Sequence, residues 1–238
     1  PLIEDVCESH GATYKNKKLG SYGLMSNFSF YYAHHMSTIE GGMISTNDKK
    51  IYNILRMMRS HGLIRESNDK GLIKSYKKKY KTLNPEFIFS YSGYNFRSTE
   101  LNAIIGLNQL KTLNSNIKKR NFNHSLFIKL IDKNKFQTNF ILEGSSNYAF
   151  NLILINKDKK LVKKLIDTMR KNKIEFRRGS AGGGNQLRQP YLQKIVKKND
   201  WLKFPNTEHI HFYGFYLGNY PSLTKSDIIK LCSIINNI

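Results

Sequence analysis

The segment Met25-Ser26-Asn27-Phe28-Ser29-Phe30-Tyr31-Tyr32-Ala33-His34-His35 sets aromatic and apolar side chains among small polar ones and then breaks into two histidines. Such a pattern reads as a strand over 25–32, bounded by polar loops. Before it, Gly11, Gly20 and Gly23 lie among Lys and Tyr and mark a loop over 11–25. Earlier still, Pro1-Leu2-Ile3-Glu4-Asp5 reads as the close of a strand already under way, so the chain is expected to be a fragment.

Downstream, residues 33–40 form a polar loop. Gly41-Gly42 leads into a short strand over 43–46, and Asn47 or Asp48 is placed to cap a helix carrying Ile51, Ile54, Leu55 and Met58 at helical spacing. The Lys-rich stretch 66–85 is expected to be loop. A helix begins near Thr99 and is expected to run through Leu113 on to Leu126 and Ile131. Then follow a strand over 148–155, an amphipathic helix over 157–171, a strand over 174–178, a Gly182-Gly183-Gly184 loop, a strand over 210–217 and a last helix over 224–237. Strands alternating with helices make an α/β protein. The expected division is 1–134, part of a large domain with its connecting helix, and 135–238, a smaller C-terminal domain.

With 39% hydrophobic and 12% aromatic residues among 238, the chain has material for a buried core, which excludes a disordered polyelectrolyte. No apolar run reaches the roughly 18 residues that a membrane-spanning helix needs. Cys7 and Cys232 are the only cysteines, so neither a disulfide framework nor a four-cysteine cluster can be built by this chain alone. A reducing, cytoplasmic setting is expected. The net charge of +22 points first toward nucleic acid. Yet thirty of the 39 basic residues are lysines spread along the chain, whereas base recognition favours arginine. Lys77-Lys78-Lys79 with Lys81 reads as a solvated face. No nucleic-acid and no membrane partner is expected.

Chemistry is carried by two places. Asp5, at a strand end, is either the cap of a short helix over 6–10 or the partner of a protonated ring nitrogen. Ser29 and the His34-His35 pair are either ordinary strand and loop residues or part of a site. A metal site is poorly served, because adjacent histidines with Glu40 lack the spacing that puts two ligands on one helix face.

Taken together, the ordered motifs Glu4-Asp5, His10-Gly11-Ala12, Gly20-Ser21-Tyr22-Gly23, Phe28-Ser29-Phe30, Glu40-Gly41-Gly42, Arg59-Ser60-His61-Gly62 and Gly93-Tyr94-Asn95-Phe96-Arg97-Ser98-Thr99-Glu100 resemble the DegT/DnrJ/EryC1/StrS sugar aminotransferase family. The resemblance implies the fold of pyridoxal-phosphate-dependent transferases of the aspartate aminotransferase type, with pyridoxal 5'-phosphate or its pyridoxamine form as cofactor. It implies that Asp5 faces the ring nitrogen and that Ser29 holds the phosphate. Asn95 would reach the phosphate of the neighbouring subunit, in a homodimer with shared active sites. Glu8 stands where the aminotransferases usually carry a glutamine facing the ring hydroxyl. His61 is either a lining residue or a helix-end histidine, and Asn185 and Arg188 either face a nucleotide-sugar or hold a turn. The family's remaining cofactor contacts would precede Pro1.

One departure is informative. Where most of the family carries the lysine that links the cofactor covalently, this chain has His34. Within the family a histidine there marks the sugar 3-dehydratases. One branch of these carries a cysteine-rich iron–sulfur segment, which this chain lacks. The cluster-free branch, of colitose biosynthesis, is also resembled by Gly182-Gly183-Gly184-Asn185-Gln186-Leu187-Arg188-Gln189-Pro190 and by His211 to Asn219. The implied reaction removes the C3 hydroxyl of a nucleotide-linked 4-keto-6-deoxyhexose, GDP-4-keto-6-deoxy-D-mannose by resemblance, with L-glutamate restoring the amine form of the cofactor. An imidazole, with an ordinary pKa of about 6.5, is largely neutral and basic near pH 7, which suits proton transfer. A nucleotide-sugar aminotransferase that tolerates His34 and an inactive homologue are the alternatives.

Overall fold

The structure is a computed structural model and describes residues 1–179 and 183–238. It forms two compact units, Pro1–Asn114 and Ser115–Ile238. The division therefore falls inside a long helix, earlier than the expected boundary at 134/135. The reason is packing: Phe127, on the second half of that helix, and Ile131, just past its end, are buried in the core of the second unit.

In the first unit, β1 (Ile3–Asp5), β4 (Met25–Ser29) and β5 (Gly42–Thr46) form a sheet in the order β1-β4-β5. β1 runs parallel to β4 and pairs Asp5 with Asn27, while β5 returns antiparallel and pairs Ser29 with Gly42. Between β1 and β4 lies a small hairpin of β2 (Thr13–Tyr14) and β3 (Lys17–Lys18). Its turn residues Lys15 and Asn16 both have positive φ, as a two-residue hairpin turn matching the sheet twist requires. The strand expected over 25–32 ends at Ser29, and no helix follows Asp5.

Helix α1 (Lys49–Met58) starts at Asp48, whose carboxylate accepts from the amides of Lys50 and Ile51 at 2.8 and 2.9 Å. The stretch expected to be loop contains α2 (Lys70–Lys79), capped by Asp69 on the Leu72 amide at 2.9 Å. Its lysines hid a narrow apolar face. Leu72, Ile73 and Tyr76 pack against the small core of Met57, Ile64 and Ile88, so tertiary contact rather than overall polarity sets the helix. Helix α3 (Glu100–Leu130) is continuous, as the spacing suggested.

The second unit holds β6 (Ala149–Ile153), α4 (Lys159–Lys171), β7 (Phe176–Arg178), α5 (Pro205–Tyr213), β8 (Gly214–Gly218) and α6 (Lys225–Asn236). Its sheet runs β6-β8-β7, antiparallel throughout. The core joins Phe150, Leu152, Phe215 and Leu217 of the sheet to Val162, Leu165 and Met169 of α4 and Ile228, Cys232 and Ile235 of α6. The strand expected over 210–217 is half helix. Pro205 stands at the first turn of α5, where its missing N–H is no loss, and the helix continues through the aromatic Phe212-Tyr213 before Gly214 ends it. Gly182 of the expected glycine loop lies outside the described residues. No helix among the described residues is long and apolar enough to cross a membrane.

Candidate active site

The parallel pairing of β1 with β4 brings together four of the residues singled out from the sequence. Asp5 ends β1 and Ser29 ends β4. The turn after β1 carries Glu8, and the turn after β4 carries His34, whose Nε2 lies 3.9 Å from Glu8 Oε1. His34 Nδ1 lies 3.3 Å from the carbonyl oxygen of Ser29. A carbonyl can only accept, so Nδ1 carries a proton, and the lone pair of the neutral ring is then on Nε2. The ring stands edge-on to Tyr31, with centroids 5.6 Å apart. Contacts to Ser29, Tyr31 and Glu8 fix its plane from three sides.

Asp5 is exposed, and its Oδ1 accepts from the Cys7 amide and from Asn27 Nδ2, each at 3.1 Å. The Cys7 thiol and amide, then Asn27, hold the carboxyl below the ordinary range, with the nearby His34 adding to the effect. An ionised carboxylate open to solvent at a strand end suits a protonated pyridine nitrogen. Ser29 Oγ accepts from the Tyr31 amide at 3.3 Å, which leaves its own hydrogen to donate to a phosphate oxygen. The residues present therefore fit pyridoxal phosphate: Asp5 would hold the ring nitrogen and Ser29 the phosphate. The helix-cap alternative for Asp5 has no helix to cap.

Two residues shape the cluster without having been read as doing so. Glu4, beside Asp5, accepts from the backbone amides of Gly20, Tyr22 and Gly23 at 2.6, 2.7 and 2.6 Å, and so ties the glycine loop back onto β1. The Gly-Ser-Tyr-Gly spacing was the available signal. His10 is buried between Phe28 and Phe30, stacked on both with centroids 5.7 and 5.9 Å away, and edge-on to His35 at 5.7 Å. Burial, with the neighbouring His34, pushes its pKa down to about 4.

His61 and Asn95 lie together in the first unit. The His61 amide donates to the Tyr94 carbonyl at 2.9 Å, and Ser60 pairs with Asn95 as an isolated antiparallel bridge. The glycines of the two motifs explain their recurrence. Gly62 has φ +78°, and a Cβ there would meet the Tyr91 carbonyl oxygen at 1.9 Å; one at Gly93 would meet the Gly62 nitrogen at 2.7 Å. Asn95 gives its side-chain oxygen to Arg97, and the flanking Tyr94 and Phe96 are exposed.

Asn185 and Arg188 belong to the second unit, where their side chains are engaged within the chain. Asn185 is buried; its Nδ2 donates to Glu208 Oε1 at 2.8 Å and its Oδ1 caps the Leu187 amide at 3.1 Å. Arg188 forms a two-point pair with Glu208, the Nε contact being 2.8 Å, and its guanidinium lies over the rings of Trp201 and Phe212. The turn-holding alternative accounts for every one of these contacts.

A family model described as the DegT/DnrJ/EryC1/StrS aminotransferase family matches residues 1–236, and the chain belongs to that family. It is 34% identical over 225 residues to the GDP-4-keto-6-deoxy-D-mannose 3-dehydratase of Escherichia coli O55:H7, covering 92% of this chain and 56% of that protein. It is 32% identical to the enzyme of the same name from Yersinia pseudotuberculosis, covering 98% of this chain and 59% of that one. The solved E. coli GDP-4-keto-6-deoxy-D-mannose-3-dehydratase with bound hydrated PLP superposes with a TM-score of 0.83 at 31% identity, over 98% of this chain and 60% of that structure. The chain thus spans under two thirds of the length of these relatives, and the fold is that of the pyridoxal-phosphate-dependent aminotransferases.

Proposed function

We propose that the protein is a pyridoxal-phosphate-dependent nucleotide-sugar 3-dehydratase that removes the C3 hydroxyl of a 4-keto-6-deoxyhexose, GDP-4-keto-6-deoxy-D-mannose being the substrate that its relatives favour. The observation that carries the reading is His34: an imidazole with one nitrogen on the Ser29 carbonyl and the other facing Glu8, at the position from which the aminotransferases link their cofactor through lysine. Bound as pyridoxamine phosphate, the cofactor supplies an amine for the sugar's C4 ketone and a ring that takes up electrons. Asp5 keeps the ring nitrogen protonated, and Ser29 anchors the phosphate. His34, its Nδ1 on the Ser29 carbonyl, would move a proton through Nε2 from the C4′ carbon of the bound group to the departing C3 oxygen, which would leave as water. Glu8 stabilises the imidazolium that results.

L-glutamate would restore the amine form and leave as 2-oxoglutarate, while hydrolysis of the deoxygenated enamine would release ammonia and a 4-keto-3,6-dideoxy sugar of the kind used in colitose and O-antigen assembly. The working unit is a homodimer in which Asn95 reaches the phosphate in the partner's site. The exposed Tyr94, Phe96, Leu101 and Ile104 around it supply apolar surface for such an interface. Incubation with GDP-4-keto-6-deoxy-D-mannose, glutamate and pyridoxal phosphate tests the reading: loss of the C3 hydroxyl with release of 2-oxoglutarate is expected. A 4-amino sugar as the product would instead make the protein an aminotransferase.

A further inference from the structure

Asp5 uses its two oxygens unequally. Oδ1 receives both nitrogen donors, the Cys7 amide and Asn27 Nδ2, and the Cys7 thiol adds a hydrogen bond to the same carboxylate. Asn27 stands directly across from Asp5 in the β1–β4 pairing, and the Val6 amide donates to the Asn27 carbonyl at 2.9 Å to close the register. Asn27 Nδ2 also donates to Cys7 Sγ at 3.2 Å, so one amide group bridges the carboxylate and the thiol. Its orientation is settled by chemistry, since a flipped amide would set its oxygen against a carboxylate oxygen, two acceptors with no hydrogen between them. We propose that Asn27, with Cys7, is the positioning residue of Asp5: the bridge pins the carboxylate through Oδ1 and so aims it at the protonated ring nitrogen of the cofactor.

The part concerning the ring nitrogen rests on the function proposed above; the pinning of Asp5 does not. Burial and the Asp5 carboxylate push the Cys7 pKa up to about 11, so it stays a neutral thiol, whose sulfur accepts from Asn27 Nδ2. The titratable groups that bear on Asp5 are Cys7 and His34.

Carboxyl-carbon NMR titration of Asp5 in the unliganded chain is the direct test. Asn27→Leu, of similar size but without the amide, is expected to move the Asp5 midpoint upward and to weaken pyridoxal phosphate binding roughly tenfold. Asn27→Ser, too short to reach across, is read the same way should Asn27→Leu fail to fold. Thr46→Val removes a hydrogen bond of the same sheet, to the Leu24 carbonyl at 2.8 Å, without touching Asp5, and is expected to leave the midpoint in place. An unshifted Asp5 in a folded Asn27 variant, or an equal shift in Thr46→Val, overturns the proposal. Wild-type protein that binds no pyridoxal phosphate would refute the proposed function instead, and the Asp5 titration would still decide the role of Asn27.

Discussion

His34 is oriented by the backbone of Ser29: its Nδ1 lies 3.3 Å from the carbonyl oxygen at the end of the strand that also presents the Ser29 hydroxyl. One residue thus offers two groups, the carbonyl that orients the imidazole and a hydroxyl free to donate at the proposed phosphate position. Replacing His34 by Asn removes the proposed base and leaves Asp5 and Ser29 in place. Dehydration is expected to fall by about 10²-fold or more, with pyridoxal phosphate still bound, measured by product analysis beside equilibrium binding. Near-normal turnover would show that His34 is not the base.

His34→Lys is the converse experiment. Borohydride should fix the cofactor covalently to the variant and not to the wild type, read as added mass on the peptide containing residue 34. C3 deoxygenation should be suppressed, because a tethered cofactor is withdrawn from the amine form.

Glu4 provides an acid-sensitive clamp. Its three amide donors, first among them Gly23 and Gly20, lower its pKa from 4.5. A lowered carboxyl stabilises the fold above its unfolded pKa and loses that contribution as pH falls through the folded value. Protease cleavage within the loop of residues 11–24 should therefore rise as pH drops below 4.5, and Glu4→Gln should show the raised cleavage already at pH 7.

His124 also loses stability toward acid, but because the fold disfavours its charged form. It is buried beside Phe140 and Phe150, neither ring nitrogen has a hydrogen-bond partner among the described residues, and burial pushes its pKa from 6.5 down to about 4. The unfolded chain takes up this proton more readily, so stability is lost as pH falls from 6.5 toward 4, by on the order of 3 kcal/mol. His124→Phe, which fills the same space without orphaned nitrogens, should remove that part of the acid loss. Urea unfolding at a series of pH values measures it, and an unchanged pH slope in the variant would count against the buried neutral ring.

Arg188 and Glu208 should prove coupled in stability. A double-mutant cycle of Arg188→Met and Glu208→Gln is expected to give about 1–2 kcal/mol, since their contact is two-point and charge-assisted. Additive single effects would return Arg188 to the pool of free cations available to a nucleotide.

Much of this protein was legible along the chain because its signals are local. The alternation around Phe28 marked a strand, Asp48 a helix start, and the unbroken apolar spacing after Thr99 a long helix. The ordered motifs carried the family, and the identity of residue 34 carried the departure from lysine, because a motif is a matter of residue type at fixed spacing. What no local pattern contained is which residues face each other across distance. The helix at Lys70–Lys79 exists because three side chains meet the core of Met57, Ile64 and Ile88, although its composition is that of a loop. Residues 210–213 are helical because a turn started at Pro205 runs on to Gly214, although their aromatic character suits a strand. By its position alone Arg188 could face a nucleotide-sugar or hold a turn, and only the packing pairs it with Glu208. Asn27 looked like any strand asparagine until the β1–β4 register set it opposite Asp5. Residue type and spacing determine what chemistry a chain carries; register and packing, which depend on contacts between segments far apart in sequence, decide which groups are held and which are left open to a ligand.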